Sequence, residues 1–333
     1  MTRGADQAPA LPRLMTLRAT PDPALAGGSE GAPAARPAAS GQRPASGQRP
    51  VSARPAVSAR PAVSRRREVA DVSARSLLMT ILGEFVLPDG EPVWTSSLVR
   101  ALAVSGIEEK SARQALARTA SEGWLASQRH GRRVRWELTP HGRGLLTEGA
   151  ERIYGFGRRD EPWDGQWLVV LASVPESRRE LRHKLRTRLS WAGFGSPAGG
   201  VWVTPDVSRE AEAREVLGGL ALPAAAMSFT ARYGAIGEQQ AMVAAAWNLD
   251  AMAARYEEFI DQFAGLDPRS PGEALRAQIR LVHEWRRFPF LDPVLPAELL
   301  PPGWSGTRAT TIFHDRHARW RPSARAAWAA LAA

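Results

Sequence analysis

Ser105–Leu138, SGIEEKSARQALARTASEGWLASQRHGRRVRWEL, reads as a short polar helix followed by a two-stranded ribbon loaded with arginine. Glu108 and Glu109 sit where acids favour the positive end of a helix. Ala112, Leu116 and Thr119, with Ala115 beside them, fall on one face at helical spacing. That leaves Ser111, Arg113, Gln114, Arg118 and Ser121 facing away from the core. Gly123 stops the helix, and Trp124 and Leu125 anchor the start of the ribbon. A Gly-containing two-residue turn is expected at His130-Gly131. Beyond it Val134, Trp136 and Leu138 alternate with Arg133, Arg135 and Glu137, giving one apolar and one mostly basic face. A helix with an Arg/Gln/Ser outer face and an arginine-tipped hairpin predict a winged helix-turn-helix, its helix reading base edges and its wing, with Arg132, Arg133 and Arg135, holding the backbone. The same residues also fit a small αβ unit with a solvated basic hairpin.

Working outward, Ser73 is placed to cap a helix whose stripe is Leu77, Leu78, Ile81, Leu82 and Phe85. Pro88-Asp89-Gly90 is a turn, and Thr95 or Ser96 caps a second helix with Leu98, Val99 and Leu102. Thr139-Pro140 starts a further helix, with a cap and a proline at its first position. From Trp163 to about Tyr233 the pattern changes to strands crossed by two helices. Trp167–Leu171, Val201–Thr204 and the alternating Met227, Phe229, Ala231 and Tyr233 read as strands. Residues 176–191 and a Ser208-capped segment to Leu217 read as helices, which suggests a ferredoxin-like unit. The rest is helical. Leu249, Met252, Tyr256, Phe259, Ile260 and Phe263 mark one amphipathic helix. Ser270-Pro271-Gly272-Glu273 opens another as a capping box running to about Arg287. A proline-rich crossing and a final helix pair from about Thr307 complete the chain. The expected fold class is α+β: a winged helix-turn-helix at 71–155, a ferredoxin-like dimerisation or ligand domain at 160–236 and a helical domain at 237–333.

Residues 1–70 are Pro, Ala, Gly, Ser and Arg, with ASGQRP twice in succession from Ala39 and VSARPA twice from Val51. Such a short period cannot bury a core, so a disordered tail is expected, either a solvated extension or a basic arm that meets DNA non-specifically. The formal charge of +10 is mostly this tail, whose 11 Arg against 4 acids give +7 and leave +3 for the remaining residues. A DNA site must therefore come from local clustering around Gln128–Arg135 and not from bulk charge. Only Lys110 and Lys184 are lysine among 44 basic residues. With no cysteine, disulfides and thiolate sites are excluded. No apolar run approaches the ~20 residues of a membrane span, and the start lacks the order of a signal peptide, so a soluble cytoplasmic protein is expected.

The chain resembles the PaaX-type repressors of phenylacetic-acid catabolism over roughly residues 73–325. The resemblance is carried by SLLMTILGEFVLP, the 108–121 helix with GWL, RHGRRVRWELTPHG, RIYGF, WDGQWLVVL, VPESRRELRHKLRTRLSWAGFGSPAGGVWVTP and LVHEWRRFPFLDPVLPAELLPPGWSG. It implies a homodimeric repressor bound to double-stranded operator DNA and released by an acyl-CoA effector such as phenylacetyl-CoA. Arg113, Gln114 and Arg118 then map onto the recognition helix, and Arg132, Arg133 and Arg135 onto the wing. His283, Trp285, Arg286 and Arg287 become effector-binding candidates, with the arginines as anion partners and Trp285 and Phe288 as flat apolar surface. The same segment also reads as a structural joint. Arg178, Arg179, Arg182 and Arg186 form a rival phosphate face or a solvated one. His314, Asp315 and His317 approach metal-ligand types but lack a second cluster, so no metal site is expected. Neither a G-x-S-x-G nor a Walker A loop is present, so no cofactor or catalytic residue is expected. The middle unit resembles the small CRISPR-associated nucleases, but its first strand ends Leu171-Ala172-Ser173-Val174, without the acid those enzymes need. Two readings from other classes stay open: a coenzyme A thioester-processing enzyme with an appended DNA-binding module, and a structural DNA-associated protein without effector.

Overall fold

The computed structural model describes residues 73–158, 162–222 and 226–332; the expected tail at 1–70 lies outside them. The Ser73 hydroxyl accepts from the Ser76 amide and starts α1 (Ala74–Ile81). The same rod continues through a π-turn, Leu82–Val86, into α2 (Leu87–Asp89), which Gly90 ends in the left-handed region. β1 (Val93–Trp94), α3 (Thr95–Val104), α4 (Glu109–Ser121), β2 (Leu125–His130) and β3 (Arg133–Leu138) come next, with the sheet ordered β1-β3-β2. α5 (Pro140–Gly155) starts from Thr139, whose hydroxyl accepts from the Gly142 amide. Gly142 is a position of close approach: a Cβ there would lie 2.2 Å from the Trp124 carbonyl oxygen. All the residues of the expected α1 stripe are buried, as are Ala112, Ala115, Leu116 and Thr119 of α4.

The second sheet has the order β5-β6-β4-β7, from β4 (Gln166–Ala172), β5 (Gly195–Ala198), β6 (Val201–Thr204) and β7 (Ala226–Arg232), all antiparallel. β4, α6 (Arg179–Trp191) and β5 form a split βαβ with β6 between the strands, the ferredoxin-like arrangement. One face of the sheet, Leu168, Val170, Ala172 and Trp202, packs on Leu185 and Leu189 of α6 and on Ala213 and Leu217 of α7 (Glu210–Gly218). The opposite face offers Trp167 and Val203 to Val243 of α8 (Gln239–Ala246) and to Leu249, Leu295 and Leu299. Two-sided burial at the centre fits the nearly continuous apolar run of β4.

The remaining helices are α9 (Leu249–Phe263), α10 (Pro271–Trp285), α11 (Phe288–Leu291) and α12 (Ser305–Ala332). Every apolar residue expected to face inward on α9 is buried. These helices do not keep to themselves. Ala274, Leu275 and Ile279 of α10 and Ala324 and Trp328 of α12 belong to one core with Leu77–Leu138. Trp328 stacks on Phe85 at 5.3 Å and its indole N–H reaches Asp89, which also pairs with Arg325.

Several local expectations are corrected. His130 pairs with Arg133, so the hairpin turn is Gly131-Arg132, one residue later than expected, with Gly131 at φ 59°. Trp94, not Thr95 or Ser96, holds the N-cap position of α3, and the Thr95 hydroxyl instead donates to the Val134 carbonyl. Asp206, not Ser208, accepts the capping bond of the turn before α7. The final helix pair is one 28-residue helix with Pro322 inside it. At Ser270 the hydroxyl accepts from the Glu273 amide as a capping box requires, but the return bond is shifted, with Glu273 accepting from the Arg269 amide.

Because α12 completes the core of the first unit, Trp328→Ala should lower stability by about 3–5 kcal/mol. Urea unfolding followed by Trp fluorescence and by far-UV circular dichroism should shift in both signals together. A variant as stable as the parent would show that α12 is not part of that core.

Candidate nucleic-acid interface

The outer face of α4 is built by subtraction. Its inward positions are taken by Ala112, Ala115, Leu116 and Thr119, and the Thr119 hydroxyl is satisfied by the Ala115 carbonyl at 2.8 Å. Arg113, Gln114, Ala117, Arg118 and Ser121 are exposed, and Ser111 is half-buried at the edge. The structure thus brings Ser111, Arg113, Gln114 and Arg118 onto one helix. Arg113 is paired along the helix with Glu109, at 2.7 Å. The hairpin beside it rests on β1. The guanidinium carbon of Arg133 lies 4.0 Å above the Trp94 ring centroid and that of Arg135 at 4.9 Å, cation–π contacts that set the height and direction of both side chains. Arg135 also donates to the Pro92 carbonyl at 3.2 Å. Arg132 is exposed at the turn. Sequence reasoning misses Trp94; its signal is an aromatic residue immediately before a helix, in register with Arg135 across the sheet.

The C-terminal candidates lie elsewhere and are occupied by protein. His283 Nδ1 is 3.1 Å from the Thr80 hydroxyl. Arg286 Nη1 donates to the Ser76 carbonyl at 2.9 Å and to Thr80 Oγ1 at 3.0 Å. Trp285 is fully buried, donates to the Ile153 carbonyl and stacks on Phe313 at 4.5 Å. Phe288 is buried too, stacked on Tyr256 at 4.3 Å. Only Arg287 is exposed, near Glu284 at 3.3 Å. The segment is therefore a joint clamping α10 to α1. Burial, then the charges of Arg286 and Arg287, push the His283 imidazole down to about 3, and burial lowers Arg286 as well.

One turn away sits Glu84, in the π-turn of the first rod, 6% exposed. Its carboxylate accepts from Gln278 of α10 at 2.9 Å and from the Tyr154 hydroxyl of α5, and lies 3.0 Å from His317 Nε2 of α12. Burial would raise this carboxyl; the His317 bond and charge, with the Tyr154 and Gln278 bonds, outweigh it and hold it below its usual range. His317 is thus a network residue and not a helix-surface one. His314 lies 3.3 Å from Arg158. Among the described residues no group of three His, Cys, Asp or Glu could hold a metal ion. The Arg178–Arg179 end of α6 borders an open cleft of about 790 Å3 that also includes Lys184. Among the described residues no helix is long and apolar enough to cross a membrane.

The His283 shift fixes a pH dependence. As pH falls below the ordinary value of 6.5, the unfolded chain takes up a proton at His283 that the folded chain refuses until about pH 3, so stability is present above 6.5 and lost through that window. Glu84, held below 4.5, adds a further loss at more acid pH with the same sign. His283→Gln should flatten the fall in urea midpoint between about pH 6.5 and 4.5. An unchanged slope would assign the acid sensitivity to another group.

Residues 73–142, 160–243 and 247–330 match, in turn, the family models described as PaaX-like protein, PaaX protein central Cas2-like domain and PaaX-like protein C-terminal domain. The chain is 31% identical over 265 residues to the transcriptional repressor PaaX of Escherichia coli (strain K12), covering 76% of this chain and 82% of that one. It shares its fold with a solved structure of an uncharacterised protein from Mycobacterium tuberculosis, at a TM-score of 0.53 and 23% identity, over 77% of this chain and 98% of that one. With family models matched in turn over the unit that carries α4, the central sheet and the C-terminal helices, and with 31% identity to a repressor over 76% of this chain, the chain belongs to the PaaX family of transcriptional repressors.

Proposed function

We propose that this repressor binds double-stranded operator DNA as a cytoplasmic homodimer, through a winged helix-turn-helix whose recognition helix is α4 and whose wing is the β2–β3 hairpin, and that an aromatic acyl-CoA such as phenylacetyl-CoA releases it. The observation that carries the reading is the outer face of α4. Gln114 and Arg118 with Arg113 offer side chains suited to base edges, and Arg132 and Arg133 stand on the adjacent hairpin, where phosphates are met. The pairing of Arg113 with Glu109 holds that arginine along the helix until a better partner replaces it. Two half-sites one helical turn apart require a fixed spacing of the two α4 helices, which a dimer supplies. Similarity to a repressor favours regulation over catalysis, and no reaction step is proposed.

In this reading His283, Trp285, Arg286 and Arg287 serve the effector response chiefly as the joint between α10 and α1, with Arg287 the member able to meet an anionic group from solvent. An effector that prefers another arrangement of that joint would displace α4 from its groove. A typical coupling between two such sites is ~1–3 kcal/mol.

Binding isotherms on operator and scrambled duplexes at several salt concentrations test the division of labour. Arg133→Ala should weaken both duplexes about equally and flatten the salt slope by ~1. Arg113→Ala should relax preference at one base-pair position, at about 1–3 kcal/mol. Identical profiles for the two variants would sink the assignment of α4 to bases and the hairpin to phosphates.

A further inference from the structure

A second cleft, of about 220 Å3, opens where the end of α6 and the loop after it meet residues 246–248 and the 289–294 segment. Two of its residues are large exposed aromatics: Trp191 is 59% exposed and Phe290 55%, the latter with the Arg152 guanidinium carbon 5.3 Å from its ring centroid. They come from separate units of the chain, one ending a helix of the central sheet and the other lying in α11. Both line the same cleft, which places exposed apolar surface at a concave position rather than singly on the outside. Trp247 and Arg209 complete the walls. The Arg209 guanidinium donates to the Ala192 carbonyl at 2.7 Å and pairs with Asp206 at 3.3 Å, so it borders the cleft in a fixed position as one half of an ion pair.

The backbone of the far wall is strained. Val294 has φ 57°, in a region that a β-branched residue rarely enters. It is held there by its amide, which donates to Asp292 Oδ1 at 2.6 Å, while the other carboxylate oxygen accepts from Tyr256 at 2.6 Å. Both bonds are part-buried, and strain over-determined in this way clusters at active sites, ligand clamps and switch regions. The cleft lies between two packed units, a preferred place for small-molecule sites. A cavity of about 150 Å3 suffices for a benzene ring, so this one admits a single ring with a short substituent and leaves no room for a nucleotide.

We propose that this cleft seats one aromatic ring bearing a short carboxylate-derived chain, with Trp191 and Phe290 on its faces and Arg209 towards its oxygen, the ring arriving either as the free aryl acid or as the acyl end of its thioester. The inference rests on the reading of the chain as an effector-released repressor, and adds the place where the aromatic end is sensed. It also gives the signal a route: α11 directly follows the α10 end whose His283 and Arg286 grip α1.

The test is calorimetry on the full chain with phenylacetate, phenylacetyl-CoA and acetyl-CoA, alongside operator binding without ligand. Trp191→Ala/Phe290→Ala should lose at least about tenfold in affinity for the aromatic probes, bind operator as the parent does, and leave any acetyl-CoA binding unchanged. Trp191→Phe/Phe290→Tyr should restore the aromatic affinity. Competition of phenylacetate with phenylacetyl-CoA would identify the acid as sufficient; binding of the thioester alone would identify the acyl end. A double alanine variant that binds phenylacetyl-CoA within about twofold of the parent would overturn the site while leaving the effector reading intact. A parent chain that binds neither aromatic probe would overturn both.

Discussion

The carboxylate of Glu84 is the constraint on which the arrangement of this chain turns. It is a charge withdrawn from water, and such a charge is tolerated only with full hydrogen-bond compensation. Here that compensation comes from three different helices, through Tyr154, Gln278 and His317. None of those helices can move independently without stranding the charge. Loss of one partner would leave the network half-satisfied, which costs more than an apolar core would. The π-turn is the local device that makes it possible: an extra residue in the turn brings an acid into a rod whose other inward positions, Thr80 apart, are apolar.

Around that point two further contacts work in the same sense. Arg286 and His283 bind α10 to Ser76 and Thr80, and Arg325 and Trp328 bind α12 to Asp89. The first rod is thus gripped at its start, middle and end by the C-terminal helices. Residues of α10 and α12 share one core with α1 and α4, so a shift of either helix would have to be accommodated by α1. That is the physical requirement for coupling between distant surfaces: a contiguous packed element that both can bias.

Much of this is legible from residue order. The α1 and α9 stripes, the exposed side of α4 and three strands of the central sheet follow from apolar spacing, and the caps at Ser73 and Thr139 follow from side-chain chemistry; the edge strand β5, Gly-Ser-Pro-Ala, has no apolar alternation to announce it. Features that depend on partners far along the chain are not. Glu84 sits inside the apolar run SLLMTILGEFVLP, and nothing local says that an acid there will be matched by His317. Arg286 resembles an anion binder beside its exposed neighbour Arg287, yet its guanidinium is spent on α1. The α8 segment QQAMVAAA buries only Val243, too weak a pattern to announce a helix. Proline usually ends a helix, so Pro322 suggests two helices where α12 is one, and tertiary packing on both sides of it overrides that preference here.

The bonds from Asp89 to Arg325 and Trp328 join residues 236 and 239 positions apart. At a synthesis rate of ~5–20 residues per second, the wait between those partners leaving the ribosome is roughly ten to fifty seconds. Throughout that interval the rod beneath α4 lacks one wall of its core and has Phe85 without its stacking partner. Contacts this remote also make for slow folding. Until residues 325–328 are in place, the core that α4 shares with α1 is incomplete, so the support beneath α4 depends on the helix furthest from it in sequence.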